Sequence, residues 1–212
     1  MIQKFLSQQL ARPSGWFGRF FTSRWLEKIN VRMNVFALES LNLQGAESVL
    51  EIGFGSGSLL EAILKTGKCH HASGLELSEE MIAFVNKRLA AHIQLKTLQL
   101  AQGSIEQIPF ASSSFSKVVS VNTLYFWSDT RQALRECARV LIDGGQLVLC
   151  YNAKQDMQNW PGHVHGFTLY EASEVEDLLS DVGFVNITTR SLQDPVQGLV
   201  YSVVATWLPS TI

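Results

Sequence analysis

Residues 48–58 read Ser-Val-Leu-Glu-Ile-Gly-Phe-Gly-Ser-Gly-Ser, a short apolar run that breaks directly into three alternate glycines. A run of that length bounded by glycine predicts a buried strand, and Leu59, Leu60, Ile63 and Leu64 then recur at helical spacing. Strand, glycine loop and helix in this order leave bare main chain at the carboxyl end of a strand. Gly53, Gly55 and Gly57 carry no Cβ and tolerate positive φ, so a ligand can lie against the backbone there.

The strand–helix cycle repeats. Ala72 to Leu77 leads into a helix from Glu79 to about Ala90, Thr97 to Ala101 makes a third strand, and Lys117 to Asn122 leads into a helix from Thr130 to Leu141. Gln146 to Tyr151 makes a fifth strand. Alternation of this kind requires crossovers, and crossovers give a mostly parallel sheet covered by helices on both faces. After a helix from Ala172 to Asp181, Phe184–Arg190 and Leu199–Trp207 follow with no helix between them. Two such strands predict a hairpin, with an antiparallel final strand at or near one edge.

A length of 212 residues supports one core, and 46% apolar against 17% charged residues with a net charge of −2 excludes disorder and a globally basic nucleic-acid binder. The charge is uneven. Residues 1–35 carry six basic groups against Glu27, a net +5, and the remainder holds eleven basic and eighteen acidic residues, a net −7. In that basic segment Trp16, Phe17, Phe20, Phe21 and Trp25 recur at helical steps, and a second helix continues through Val35, Phe36, Leu38 and Leu41 to Gly45. Cys69, Cys137 and Cys150 are odd in number and widely spaced, which fits a reducing, cytoplasmic compartment. No window approaches the length of a membrane span or a signal peptide, so no integral membrane association is expected.

The glycine loop does not suit a dinucleotide. Counted from Gly53, the G-x-G-x-x-G fingerprint needs glycine at Ser58. Glu51, two residues before the first glycine, would sit poorly beside a pyrophosphate and well beside an ammonium or sulfonium. Glu76, at the end of the second strand, can accept both hydroxyls of a ribose.

Glu51 to Gly57 resembles the acid-x-Gly-x-Gly-x-Gly motif of the class I S-adenosylmethionine (SAM)-dependent methyltransferases. The resemblance runs through Glu76, Met81 and Gly103–Phe110 to the Gly144-Gly145 turn, roughly residues 46–150, and is of the small-molecule type, similar to the ubiquinone and menaquinone C-methyltransferase-like branch. It implies a Rossmann-like, doubly wound α/β sheet of seven strands, mostly parallel with the last antiparallel. The aromatic stripe of the N-terminal segment predicts a helical cap over residues 1–44, folded over the cleft, ahead of a SAM-binding domain over residues 45–212. SAM is the implied cofactor and S-adenosylhomocysteine the product. By that resemblance Gly53, Phe54, Gly55, Ser56 and Gly57 line its methionine and ribose portions beside Glu51. Glu76 holds the ribose, Leu77 and Met81 flank the adenine, Gly103, Ser104 and Ile105 meet its edge, and Asn122 borders the cofactor. Many members of the family carry aspartate where Ser104 stands; a hydroxyl can still accept from the adenine amino group.

Methyl transfer from a sulfonium is an in-line displacement that needs alignment and desolvation more than a catalytic side chain, and none is assigned. The Asn122-Thr123-Leu124-Tyr125 run lacks the prolines of the Asn-Pro-Pro-Tyr motif, and the core is acidic. A small-molecule acceptor is therefore expected rather than a nucleic acid or protein amide. Tyr125 and Trp127, with Phe126, favour an aromatic or lipid-like acceptor. The Trp160–Gly166 segment reads as a lid on glycine hinges, with His163 and His165 as candidate bases. No third ligand joins His163 and His165, nor His70 and His71 beside Cys69, so no metal site is expected. Trp16 and Phe20 are expected to reach the acceptor from the cap. Alternatively, residues 1–35 rest peripherally on anionic lipid. A SAM-binding protein without transferase activity is the rival reading.

Overall fold

The computed structural model describes residues 23–209. The elements run α1 (Ser23–Leu41), β1 (Glu47–Ile52), α2 (Ser58–Lys65), β2 (Cys69–Glu76), α3 (Glu79–Arg88), α4 (Ala90–Gln94) and β3 (Leu98–Gln102). They continue through β4 (Phe115–Val121), α5 (Thr130–Val140), β5 (Leu141–Asn152), α6 (Lys154–Gln158), α7 (Ala172–Val182), β6 (Phe184–Asp194) and β7 (Gly198–Trp207). Short 3-10 turns at Ile105–Gln107, Leu124–Phe126 and Pro161–Val164 follow β3, β4 and α6.

Local chemistry sets the helix ends. The Ser78 hydroxyl accepts from the Met81 N–H to start α3, and Asp129 does the same for Gln132 at α5. Glu171 and Glu174 form a reciprocal capping box on α7, which ends at Gly183 with φ of 107°.

The strands form one sheet in the order β3-β2-β1-β4-β5-β7-β6. β1 to β5 are mutually parallel, whereas β7 runs antiparallel between β5 and β6. The expected antiparallel final strand is thus present, one place in from the edge. Successive residues of each central strand face opposite layers. Leu50, Val118, Leu147, Leu149 and Val203 pack with α5 and α7, while Val49, Val119, Val148 and Cys150 pack with Met33, Phe36 and Ala37 of α1 and with Ile63 of α2. The order reverses at β1 and β4, so the loops that leave their carboxyl ends diverge and open a crevice there.

α1 therefore forms part of the helical layer, and the start of the β6–β7 turn clips it down. The buried Asp194 carboxylate accepts from Val196 and Gln197 N–H and pairs with Arg32, and Gln197 Nε2 donates to the Ile29 carbonyl. No helix among the described residues is long and apolar enough to cross a membrane.

Tyr151 lies fully buried in β5 and its hydroxyl has no hydrogen-bond partner among the described residues. Tyr151→Phe removes that uncompensated group without altering the ring, so it should leave stability unchanged or raise it by about 1–2 kcal/mol in urea unfolding. A loss of more than about 1 kcal/mol would show that the hydroxyl has a partner.

Candidate active site

A cleft of about 500 Å³ opens at the carboxyl ends of β1, β2, β4 and β5. Its floor is the glycine loop. Gly53 N–H donates to the Leu75 carbonyl, Gly57 N–H to the Phe54 carbonyl, and Gly55 N–H to Glu76 Oε2 at 3.0 Å. Glu76 Oε1 accepts from Leu77 and Ser78 N–H, at 2.9 and 3.0 Å. Three backbone donors thus fix the carboxylate that ends β2.

The three glycines have different reasons to be glycine. A Cβ on Gly53 would lie 2.4 Å from Thr123 Cγ2, and one on Gly57 would lie 2.9 Å from Val85 Cγ1 of α3. Those two positions are demanded by packing within the protein. A Cβ on Gly55 would meet nothing within 4 Å, because that residue faces the open cleft. Its φ of 47° sets the turn that aims the loop.

Glu51 lines the same cleft but is only 4% exposed, and its Oε2 has no hydrogen-bond partner among the described residues. Burial, and after it the negative charge of Glu76, push its pKa well above the usual carboxylate range, with the Leu60 N–H acting the other way. A buried carboxyl with one oxygen unpaired, beside a backbone cradle open to solvent, fits a ligand that brings positive charge.

Most residues expected around the cofactor line this cleft: Gly53, Phe54, Gly55 and Ser56 with Glu51, then Glu76, Leu77 and Met81, then Gly103, Ser104, Ile105 and Asn122. Gly57 does not; it supports the loop from behind, against α3. Ser104 donates its hydroxyl proton to Glu106, a cleft residue that the sequence reading passed over. Glu106 in turn accepts from both the N–H and the hydroxyl of Ser128, so it ties the loop after β3 to the start of α5.

Past β4 the wall becomes aromatic. Tyr125, Phe126 and Trp127 line it with Trp160 and Phe167. Phe167 is the hub, with ring centroids 4.6 Å from Phe126, 5.2 Å from Trp160 and 5.9 Å from Tyr125. Thr168 N–H donates to the Tyr125 carbonyl and holds the segment in place. Tyr125 is itself buried, its hydroxyl donating to Asn122 Oδ1 and accepting from Asn152 N–H. Burial pushes its pKa up, which favours the protonated phenol.

His163 and His165 do not line the cleft. His163 Nδ1 is held 2.7 Å from the Trp160 carbonyl, and His165 is exposed. The expected glycine hinge also has a different purpose at Gly162, where a Cβ would stand 2.2 Å from the Trp160 ring. Gly162 makes room for the indole. Trp16 and Phe20 lie outside the described residues. Among the described residues no group of three His, Cys, Asp or Glu stands together to hold a metal.

Comparison with known proteins agrees with this geometry. A family profile described as "Methyltransferase domain" matches residues 50–149. The uncharacterized methyltransferase YdaC of Bacillus subtilis is 32% identical over 126 residues, covering 59% of this chain and 67% of YdaC. A demethylmenaquinone methyltransferase of Thermotoga maritima is 28% identical over 123 residues, 58% of this chain and 51% of that protein. The crystal structure of a SAM-dependent methyltransferase from Aquifex aeolicus superposes with a TM-score of 0.70 at 20% identity, covering 88% of this chain and 98% of that one, which shows a shared fold. The chain belongs to the class I SAM-dependent methyltransferases. SAM is its methyl donor.

Gly55→Val and Gly57→Val should separate ligand space from packing. Both incur backbone strain of about 1–3 kcal/mol. Gly57→Val adds a clash with Val85 worth about 1–3 kcal/mol more, visible as a lower unfolding midpoint. Gly55→Val should fold yet lose SAM affinity by about tenfold or more in calorimetry, because its side chain enters the cleft. Full affinity in Gly55→Val would contradict the loop's role.

Proposed function

We propose that the acceptor is a ring-bearing, uncharged or cationic small molecule, bound against the aromatic wall with its reacting atom near the end of β4. The observation that carries this reading is the lining of the cleft. Its charged members among the described residues are Glu51, Glu76, Glu106 and Asp156, all carboxylates, and no Lys, Arg or His joins them. A phosphate or carboxylate on the acceptor would find no partner there and four repulsive neighbours. Flat rings find offset and edge-to-face partners in Trp160, Phe167 and Phe126.

The residues divide the work as follows. Glu51 receives the cation, Gly55 provides bare backbone beside it, and Glu76 accepts from the ribose while its own geometry is held by three N–H groups. Leu77, Met81 and Ile105 supply apolar surface for the purine. Held by these residues, SAM would supply a methyl group on a sulfonium and would leave as S-adenosylhomocysteine once that methyl was transferred to the acceptor. Phe126, Trp160 and Phe167 exclude water from that transfer and fix the acceptor's plane.

The relation to a demethylmenaquinone methyltransferase supports a hydroquinone-like acceptor within this class. Reduced thiols at Cys69, Cys137 and Cys150 accord with a cytoplasmic setting.

The test is transfer of a tritiated methyl group from SAM into a cell extract, followed by partition. Label should enter a low-mass product that extracts into organic solvent. Label retained in precipitated protein or nucleic acid would contradict the acceptor class, and tight SAM binding with no incorporation would favour a binding protein.

A further inference from the structure

Three of the four carboxylates in the cleft sit toward the cofactor side: Glu51 on β1, Glu76 on β2 and Glu106 after β3. Asp156, in α6 immediately after β5, stands apart from them. β5 lies three places from β2 in the sheet, roughly 14 Å away at about 4.8 Å per strand. That is the acceptor side, next to Met157, Trp160 and Asn152.

The Asp156 carboxylate is held in a built setting. Its Oδ2 accepts from Leu199 N–H at 2.6 Å, at the start of β7. Gly198, with φ of 78°, leaves the space it occupies, since a Cβ there would lie 2.5 Å from Oδ2 and 2.6 Å from Cγ. Asn152 Nδ2 donates to the Gln197 carbonyl and fastens the same turn to the end of β5. Oδ1 has no hydrogen-bond partner among the described residues, and Lys154, the cation nearest in sequence, pairs with Glu174 instead. Holding Leu199 needs one acceptor oxygen, which a neutral side chain could provide. It does not account for a charged group with its second oxygen uncommitted in a wall that has no basic residue.

We propose that Asp156 is an acceptor-binding residue: Oδ1 accepts a hydrogen bond from a hydroxyl or protonated amine on the ring of the acceptor. The inference rests on the ring-bearing reading above and narrows it to rings that carry an O–H or N–H donor. Asp156 fixes the direction of the donor while Trp160 and Phe167 fix the plane of the ring, so two contacts orient the reacting atom. An ether in place of the hydroxyl leaves the carboxylate unpaired and is bound less well.

The probes are 1-naphthol and 1-methoxynaphthalene, which differ in that one donor, titrated by calorimetry into the enzyme saturated with S-adenosylhomocysteine. 1-Naphthol should bind about fivefold or more tightly than the ether. In Asp156→Ala the ratio should fall to about twofold or less, with the ether's own affinity unchanged. Asp156→Asn keeps an oxygen for Leu199 and turns an NH2 donor toward the cleft. It should collapse the ratio in the same way, and it serves should the alanine variant not fold. Unchanged affinity for S-adenosylhomocysteine certifies either variant as folded. Equal binding of both probes by the wild type, or a ratio preserved in the variants, overturns the role of Asp156 alone. Failure of both probes to bind overturns the ring-bearing reading and this inference together.

Discussion

An ionisable carboxyl buried with one oxygen unpaired is expensive, and among the described residues Glu51 is one. It sits on a central strand, paired in register with Gly74 and Val119, where it is almost wholly buried and Glu76 repels it. A core built for stability alone would place an aliphatic residue there, as β1 does at Val49, Leu50 and Ile52. The cost is intelligible under the proposed reading, in which a cationic methyl donor lies against Glu51. The sheet order that opens the crevice, the bare main chain of Gly55 and the locked carboxylate of Glu76 all surround that carboxyl.

The two halves of the cleft are made differently. On the cofactor side, recognition comes largely from main chain: the glycine loop, the N–H groups that hold Glu76, and the turn after β3. Such a site tolerates wide sequence change, which is consistent with one fold at 20% identity to the Aquifex aeolicus enzyme. On the acceptor side, recognition comes from side chains on turns: Phe126 after β4, Asp156 and Trp160 after β5, Phe167 beyond them. Those turns can be exchanged without disturbing the sheet, so acceptor choice changes more readily than donor choice.

This difference also explains what could be read from the residues alone. The seven strands, the antiparallel hairpin and the glycine-loop lining of the cleft were legible, because strand periodicity and glycine spacing are local signals carried within a few residues. Even so, the spacing of Gly53, Gly55 and Gly57 hid their separate purposes, which depend on Thr123 and Val85 far along the chain. The acceptor half was legible only as an aromatic cluster. His163 and His165 drew attention by their chemistry, yet their loop presents Trp160 to the cleft, and Gly162 is shaped to the indole rather than to a hinge. Asp156 left no local trace, since its meaning comes from Gly198 and Leu199, some forty residues later. Glu106 was visible within its motif, but its tie to Ser128 was not.

The most direct test of the buried anion is the dissociation constant of SAM for Glu51→Gln, measured by calorimetry beside the wild type. The side chain keeps its shape and loses its charge. Affinity should fall by about tenfold or more, with folding stability unchanged or higher because a buried ionisable group has gone. Wild-type affinity in this variant would contradict the account.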